Sequence, residues 1–209
     1  LMDRYSEEFS ESSKDYFARI SKSASRMQNL IQALLNYSRT NKKEKIFVES
    51  DLNSLLEEAK MELNVMIEET GTQIESEPLP VLSVIPIQMV QLFSNILSNA
   101  IKYRKEGVSP QIKISAEQVD ASEIQSLQSL DYKTYWKLSF ADNGIGFEQQ
   151  FSSKIFELFQ RLHGKMEYSG TGIGLAICKK IAENHFGLIQ AEGELDQGAT
   201  FHLYLPIKS

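Results

Sequence analysis

Two glycine clusters limit what this chain can fold into. Gly144-Ile145-Gly146 follows an alternating run, Tyr135-Trp136-Lys137-Leu138-Ser139-Phe140-Ala141, which reads as a strand. Gly170-Thr171-Gly172-Ile173-Gly174 instead runs into Leu175-Ala176-Ile177, the opening of a helix over about 173–185. Glycine at this density lets backbone turn sharply or approach another group closely. One such loop leaves a strand and the other enters a helix, so the chain must carry both element types together.

The remaining pattern agrees. Ile46-Phe47-Val48 predicts a short strand, and Asp51 predicts the cap of a helix over about 52–69 that Gly71 ends. Short strands are expected at 73–77 and 81–84. Pro86 suits the first turn of a helix reaching about Arg104. Alternation marks strands at 111–119, 135–141, 188–193 and 199–205, with a polar insertion at 120–133 expected as a loop with some helix. Interleaved helices and mostly hairpin-linked strands imply an α+β fold, a two-layer α/β sandwich with one helical face.

Before it, Phe17, Ile20, Ala24, Met27, Ile31, Leu34 and Ser38 recur at spacings of three and four, the seam of a long heptad-patterned helix over 12–40. The polar break Asn41-Lys42-Lys43-Glu44-Lys45 separates this region, residues 1–41, from a domain over 46–209. The seam cannot be buried by one helix, so self-association is expected.

Formal net charge is −6 and no Lys/Arg block forms a stripe, which argues against nucleic acid as a partner. No apolar run approaches the roughly 20 residues that span a bilayer, so no membrane contact is expected within this sequence. Cys178 is the only cysteine, which excludes an intramolecular disulfide or a cysteine-based zinc site and fits a cytoplasmic setting.

Three segments carry chemistry. Asn95, Asn99 and Lys102 share one helix face, offering amide oxygens to a hard cation and an ammonium to phosphate, although a solvated face would look the same. Asp142, in Asp142-Asn143-Gly144-Ile145-Gly146, can accept a hydrogen bond from an exocyclic amine, although an ordinary turn would also use these residues. Gly170 to Leu175 opens a helix whose unpaired amides suit an anion. It is neither a Walker loop nor a dinucleotide fingerprint.

Taken together, Asn-x-x-x-Asn, then Asp-x-Gly-x-Gly about 40 residues on, then Gly-x-Gly-x-Gly about 30 further, resemble the nucleotide-binding domain of sensor histidine kinases. That domain belongs to the gyrase/Hsp90/histidine kinase/MutL superfamily, and the match covers about 46–207. The resemblance implies a Bergerat-type fold binding ATP and Mg²⁺. Asn99 would ligate Mg²⁺, with Asn95 near the same phosphates; Lys102 would meet phosphate and Tyr103 would lie along the nucleotide. Asp142 would take the adenine amino group, with Gly144 and Gly146 making room for the base. The loop Gly170, Thr171, Gly172, Gly174 and Leu175 would hold phosphates, and Thr200 would close the adenine pocket. Phe156 to His163 resembles the aromatic motif opening a lid over 162–170, which makes Arg161 a candidate for the γ-phosphate or else a solvated side chain. Asn95 stands where hydrolysing relatives resemble one another in having Glu, which favours transfer to a protein acceptor.

None of His163, His185 or His202 matches the family's acceptor. His163 falls in the lid, His185 ends a helix, and His202 is expected to face solvent. Residues 27–39 resemble the end of the second dimerisation helix and residues 1–9 the tail of the first. The expectation is therefore that the acceptor histidine lies upstream, that this stretch alone does not autophosphorylate, and that a response-regulator receiver domain and a second copy are the partners. A nucleotide-binding interaction module without catalysis and an anti-sigma-type serine kinase remain as alternatives.

Overall fold

The computed structural model describes residues 13–21, 23–24, 27–28, 31, 46–128, 132–160, 162 and 171–207. The described residues between 13 and 31 are helical, and Phe17, Ile20, Met27 and Ile31 of the seam are exposed. Leu34, Ser38, residues 1–9 and the 41–45 break lie outside the described residues.

The domain runs β1 (Val48–Asp51), α1 (Leu52–Glu62), α2 (Asn64–Thr70), β2 (Gln73–Ser76), β3 (Val81–Val84) and α3 (Pro86–Lys102), then β4 (Gln111–Asp120), β5 (Thr134–Asp142), α4 (Gly174–Asn184), β6 (Leu188–Glu194) and β7 (Gly198–Pro206). The first strand begins two residues later than expected. The expected helix over 52–69 is broken at Leu63, whose φ of −106° and ψ of 7° leave the helical region. Asn64 bonds locally there, its Oδ1 accepting the Val65 amide at 2.7 Å, which competes with helical bonding. Asp51 caps α1 by accepting from the Asn53 amide, and Gly71 ends α2 in the left-handed region at φ 63°, both as the sequence indicated.

β1 and β3 form a separate antiparallel pair, while the main sheet has the order β2-β4-β5-β7-β6. Only β4-β5 and β6-β7 join chain neighbours in this sheet. β2 lies parallel to β4, with β3 and α3 in the crossover between them. Consecutive alternation had suggested more hairpins than this. The parallel pair requires a long connection, and the site-bearing helix supplies it.

One sheet face carries Ile112, Ile114, Leu138, Phe140, Phe201, Leu203 and Leu205, two residues apart along each strand. They pack against α1, α3 and α4. Val90, Phe93, Ile96, Leu97, Ala100 and Ile101 of α3 are all buried, as its periodicity predicts. Each of these side chains larger than Ala100 stabilises the fold by roughly 1.5–3 kcal/mol of apolar transfer. Cys178 is buried among them, and burial pushes its thiol up to about 12, leaving it a small apolar group.

The insertion folds onto the opposite face. After a single 3₁₀ turn at Ala121–Glu123, Leu127 is buried with Ala121, Tyr135 and Tyr204 in a second, smaller core. His185 is the C-cap of α4, as expected, and is buried: its Nδ1 donates to the Ile181 carbonyl at 2.7 Å while its Nε2 accepts the Ile85 amide at 2.9 Å. His202 corrects an expectation. It is buried rather than solvent-facing, with Nδ1 2.8 Å from Ser139 Oγ, because the neighbouring strands β5 and β6 flank it with Ser139 and Glu192. His163 lies outside the described residues.

Burial, with the Lys137 charge nearby, holds the His202 imidazole below its ordinary 6.5, against the opposing pull of Glu192 and Glu117. A depressed folded value means that protonation favours the unfolded chain. Its contribution is present above pH 6.5 and lost as pH falls through the folded value. Urea titrations from pH 7.5 to 5 are therefore expected to show falling stability, with a shallower fall in His202→Gln.

Candidate functional site

The end of α3 and the turn after β5 are bonded together. The Tyr103 carbonyl accepts the Ile145 amide at 2.9 Å, and a Cβ at Gly144 would stand 2.6 Å from that oxygen. Asn143 fastens the turn to the start of β4: its Oδ1 accepts the Gln111 amide at 2.9 Å and its Nδ2 donates to the Ser109 carbonyl at 3.2 Å. Gly146 has φ 62°, and a Cβ there would run into the Glu194 carbonyl. Gly144 and Gly146 thus make room for neighbouring backbone. This corrects the expectation that both clear space for a base: Gly146 borders the recess described next, whereas Gly144 does not.

Two adjoining spaces open between α3, this turn and the start of α4. The larger, about 730 Å³, is lined by Asn99, Lys102, Tyr103, Thr171, Gly172, Gly174 and Leu175, among others. The smaller, about 90 Å³, is lined by Asp142, Gly146, Phe147, Ala199 and Phe201, and shares Asn99, Tyr103, Ile155, Gln160 and Leu175 with the first. The combined space matches the size usual for small-molecule sites.

Asp142 sits in the narrow recess. Its Oδ1 accepts the Gly144 amide at 2.8 Å and the Ala199 amide at 3.2 Å, whereas Oδ2 accepts nothing among the described residues. Burial raises this carboxyl above the usual aspartate range, and the two amides oppose the rise only in part. An acceptor oxygen in an apolar recess beside Phe147 and Phe201 suits a flat heterocycle bearing an amino group.

The wide end suits an anion. α4 begins at Gly174 with no side-chain cap, so its first amides have no intrahelical partner, and Gly174 and Leu175 line the cavity. Gly172 takes φ 73°, and its carbonyl accepts the Phe159 amide at 2.9 Å. This bond joins the glycine loop to the aromatic motif, where Ile155 and Phe156 are buried and Phe159 is exposed at φ 64°. Lys102 Nζ lies 3.3 Å from the Tyr103 hydroxyl and 4.6 Å from its ring centre.

Asn99 and Lys102 border the cavity, whereas Asn95, one turn back, does not. Its Oδ1 lies where a Gly174 Cβ would come to 3.5 Å, and its side chain is also in hydrogen-bonding reach of the buried Cys178 thiol. Asn99 offers an oxygen of the kind Mg²⁺ takes alongside phosphates and water, so the residues present fit that ion. Thr200 is a correction: Ala199 and Phe201 border the recess, and the strand pleat turns Thr200 to the other face. Arg161, Gly170 and most of the lid over 162–170 lie outside the described residues.

Sequence reasoning missed Met66, Glu69 and Thr70 of α2, Gln160 and Arg104, all of which line the larger cavity. Arg104, directly after Lys102-Tyr103, and Gln160, inside the aromatic motif from Phe156 to His163, stood close enough to a motif to have been found.

Residues 84–209 match the family described as the histidine kinase-, DNA gyrase B-, and HSP90-like ATPases, and the chain belongs to it. Within that family the domain is the ATP-binding catalytic domain of the histidine kinase type. The chain is 39% identical over 204 residues to Cyanobacterial phytochrome A of Nostoc sp. (strain PCC 7120), covering 98% of this chain and 25% of that protein. The chain thus spans about a quarter of the length of that relative. Among solved structures, the catalytic domain of the histidine kinase ThkA is similar at a TM-score of 0.58 and 26% identity, covering 77% of this chain and 95% of that one. ThkA in complex with the response regulator protein TrrA is similar at 0.66 and 24%, covering 99% and 55%. Full-length ShkA in complex with AMPPNP is similar at 0.68 and 23%, covering 95% and 39%.

Two outcomes follow for stability. Gly146→Ala is expected to cost at least about 2 kcal/mol in urea unfolding, since a side chain there is both strained and obstructed. Asp142→Asn should leave stability at pH 7 within about 1 kcal/mol of the parent, because its Oδ1 can still accept both amides. The raised carboxyl favours folding in its protonated form, and that advantage is lost as pH rises through the folded value. The neutral amide avoids the loss, so the variant's stability should depend less on pH from 4 to 7.

Proposed function

We propose that this chain binds ATP with Mg²⁺ and transfers the γ-phosphoryl group to a histidine lying outside the sequence, upstream of it. The observation carrying this reading is the juxtaposition of Asp142 in an apolar recess with the uncapped start of α4 across one continuous cleft. Asp142 would accept the adenine amino group, and the amides of Gly172, Gly174 and Leu175, with Thr171 and Gly170, would hold phosphate oxygens. Lys102 would supply positive charge to the phosphates, Tyr103 would border the nucleotide, and Arg161 would approach the γ-phosphate. Asn99 would hold Mg²⁺, which when bound neutralises charge on the phosphoryl oxygens. Asn95, an amide, has no basicity with which to activate water, which favours a protein acceptor over hydrolysis.

The acceptor histidine would pass the group to an aspartate of a response-regulator receiver domain in the cytoplasm. The likeness to a kinase bound to its response regulator supports such a partner. The exposed Phe17, Ile20, Met27 and Ile31 support pairing with a second copy through the helical residues. No described helix is long and apolar enough to cross a membrane.

Calorimetric titration with a non-hydrolysable ATP analogue, with and without Mg²⁺, tests the site. Binding should strengthen with Mg²⁺ and weaken at least about 100-fold in Asp142→Asn, whose amide turns N–H donors toward the adenine amine. Mixing the chain with labelled ATP and a separate histidine-bearing helical segment should then label that segment. No binding by the folded parent chain would refute the reading.

A further inference from the structure

Arg104 lines the larger cavity yet belongs to none of the motifs that define the site. It stands one residue past Tyr103, the C-cap of α3. Its Nη1 donates to the Ile101 carbonyl at 3.2 Å, a carbonyl in the last helical turn. This tether holds the guanidinium against the helix end. It makes no ion pair and no other hydrogen bond among the described residues, so most of its five donors remain available.

Lys102 differs. Its ammonium lies against the hydroxyl and over the ring of Tyr103, folded onto its neighbour. Lys102 and Arg104 are the cations lining this cavity among the described residues, and Glu69 and Glu106 line it too. Without Arg104, those two carboxylates would outweigh the single ammonium in a space that must admit a polyanion. With it, the lining is balanced.

We propose that Arg104 reads the polyphosphate of the nucleotide, placing guanidinium N–H groups on non-bridging phosphoryl oxygens and so favouring triphosphate over the bare nucleoside. This rests on the nucleotide reading given above. A guanidinium presents paired donors to phosphate that an ammonium cannot reproduce. Since Arg104 is exposed, its contribution should also weaken as salt screens it.

Calorimetric titrations of the full chain with adenosine, ADP·Mg²⁺ and a non-hydrolysable ATP analogue with Mg²⁺ test this in the parent, Arg104→Ala and Arg104→Lys, at low and high salt. Arg104→Ala should weaken the triphosphate analogue about 10-fold, ADP less, and adenosine not at all. Its binding should also depend less on salt. Arg104→Lys should recover part of the triphosphate affinity, and it decides the matter if the alanine variant does not fold. Equal losses for all three ligands would assign Arg104 to holding the helix end and overturn the proposal, as would unchanged affinities. If the parent binds the nucleotides and Arg104→Ala binds them equally well, this inference alone fails; a parent that binds none removes the nucleotide reading as well.

Discussion

The bond from the Ile145 amide to the Tyr103 carbonyl fixes the distance between the two halves of the cleft. One half is a helix whose apolar face is committed to the core, the other a turn at the end of a central strand. Gly144 permits the contact, Asn143 fastens the turn to β4, and Asp142 receives the amides of Gly144 and Ala199. Each partner is backbone or a short side chain, so the geometry around Asp142 depends little on mobile groups. The Asp142 carboxyl can therefore be held in an apolar recess despite the cost of burying it, because part of its hydrogen bonding is supplied in advance.

Much of this was legible in the sequence where local chemistry decides. Asp51 and Gly71 cap their helices as expected, Pro86 opens α3, and the buried stripe of α3 follows its period. The motif residues Asn99, Lys102, Tyr103, Asp142, Gly146, Gly172, Gly174 and Leu175 line one cleft. The misses share a cause: they depend on what lies across space. Strand alternation assigns Thr200 to one face or the other but cannot say which face meets the helices. His202 reads as a polar strand residue until β5 and β6 flank it. Met66 and Thr70 line the site from α2, beyond the break at Leu63, in a segment that no motif marks. Gly144 and Gly146 were recognised as close approaches, but the approaching group is the protein's own backbone at Gly144 and, in part, at Gly146.

The insertion over 120–133 illustrates the same limit. Its polar composition gave it no role, yet Leu127 inserts beside Tyr135 and Tyr204 on the sheet face that the helices leave bare. A few scattered apolar residues in a polar stretch, Ile124 and Leu127 among them, are a weak signal. Its meaning emerges only when two tyrosines from strands far apart in sequence prove to be neighbours on that outer face.

The crossover between β2 and β4 has a kinetic and mechanical consequence. Because α3 lies inside the connection that closes a parallel pair, the cleft cannot be assembled from a local stretch of chain. Residues 73–76 must find 111–114 across the whole of α3 before the sheet is complete. Such distant pairing slows folding relative to a hairpin. It also means that the wall bearing Asn99 and Lys102 is anchored on both sides, by the β1-β3 pair before it and by β4 of the main sheet after it. The wall therefore has no independent unit to open into, and its loss coincides with unfolding of the domain as a whole.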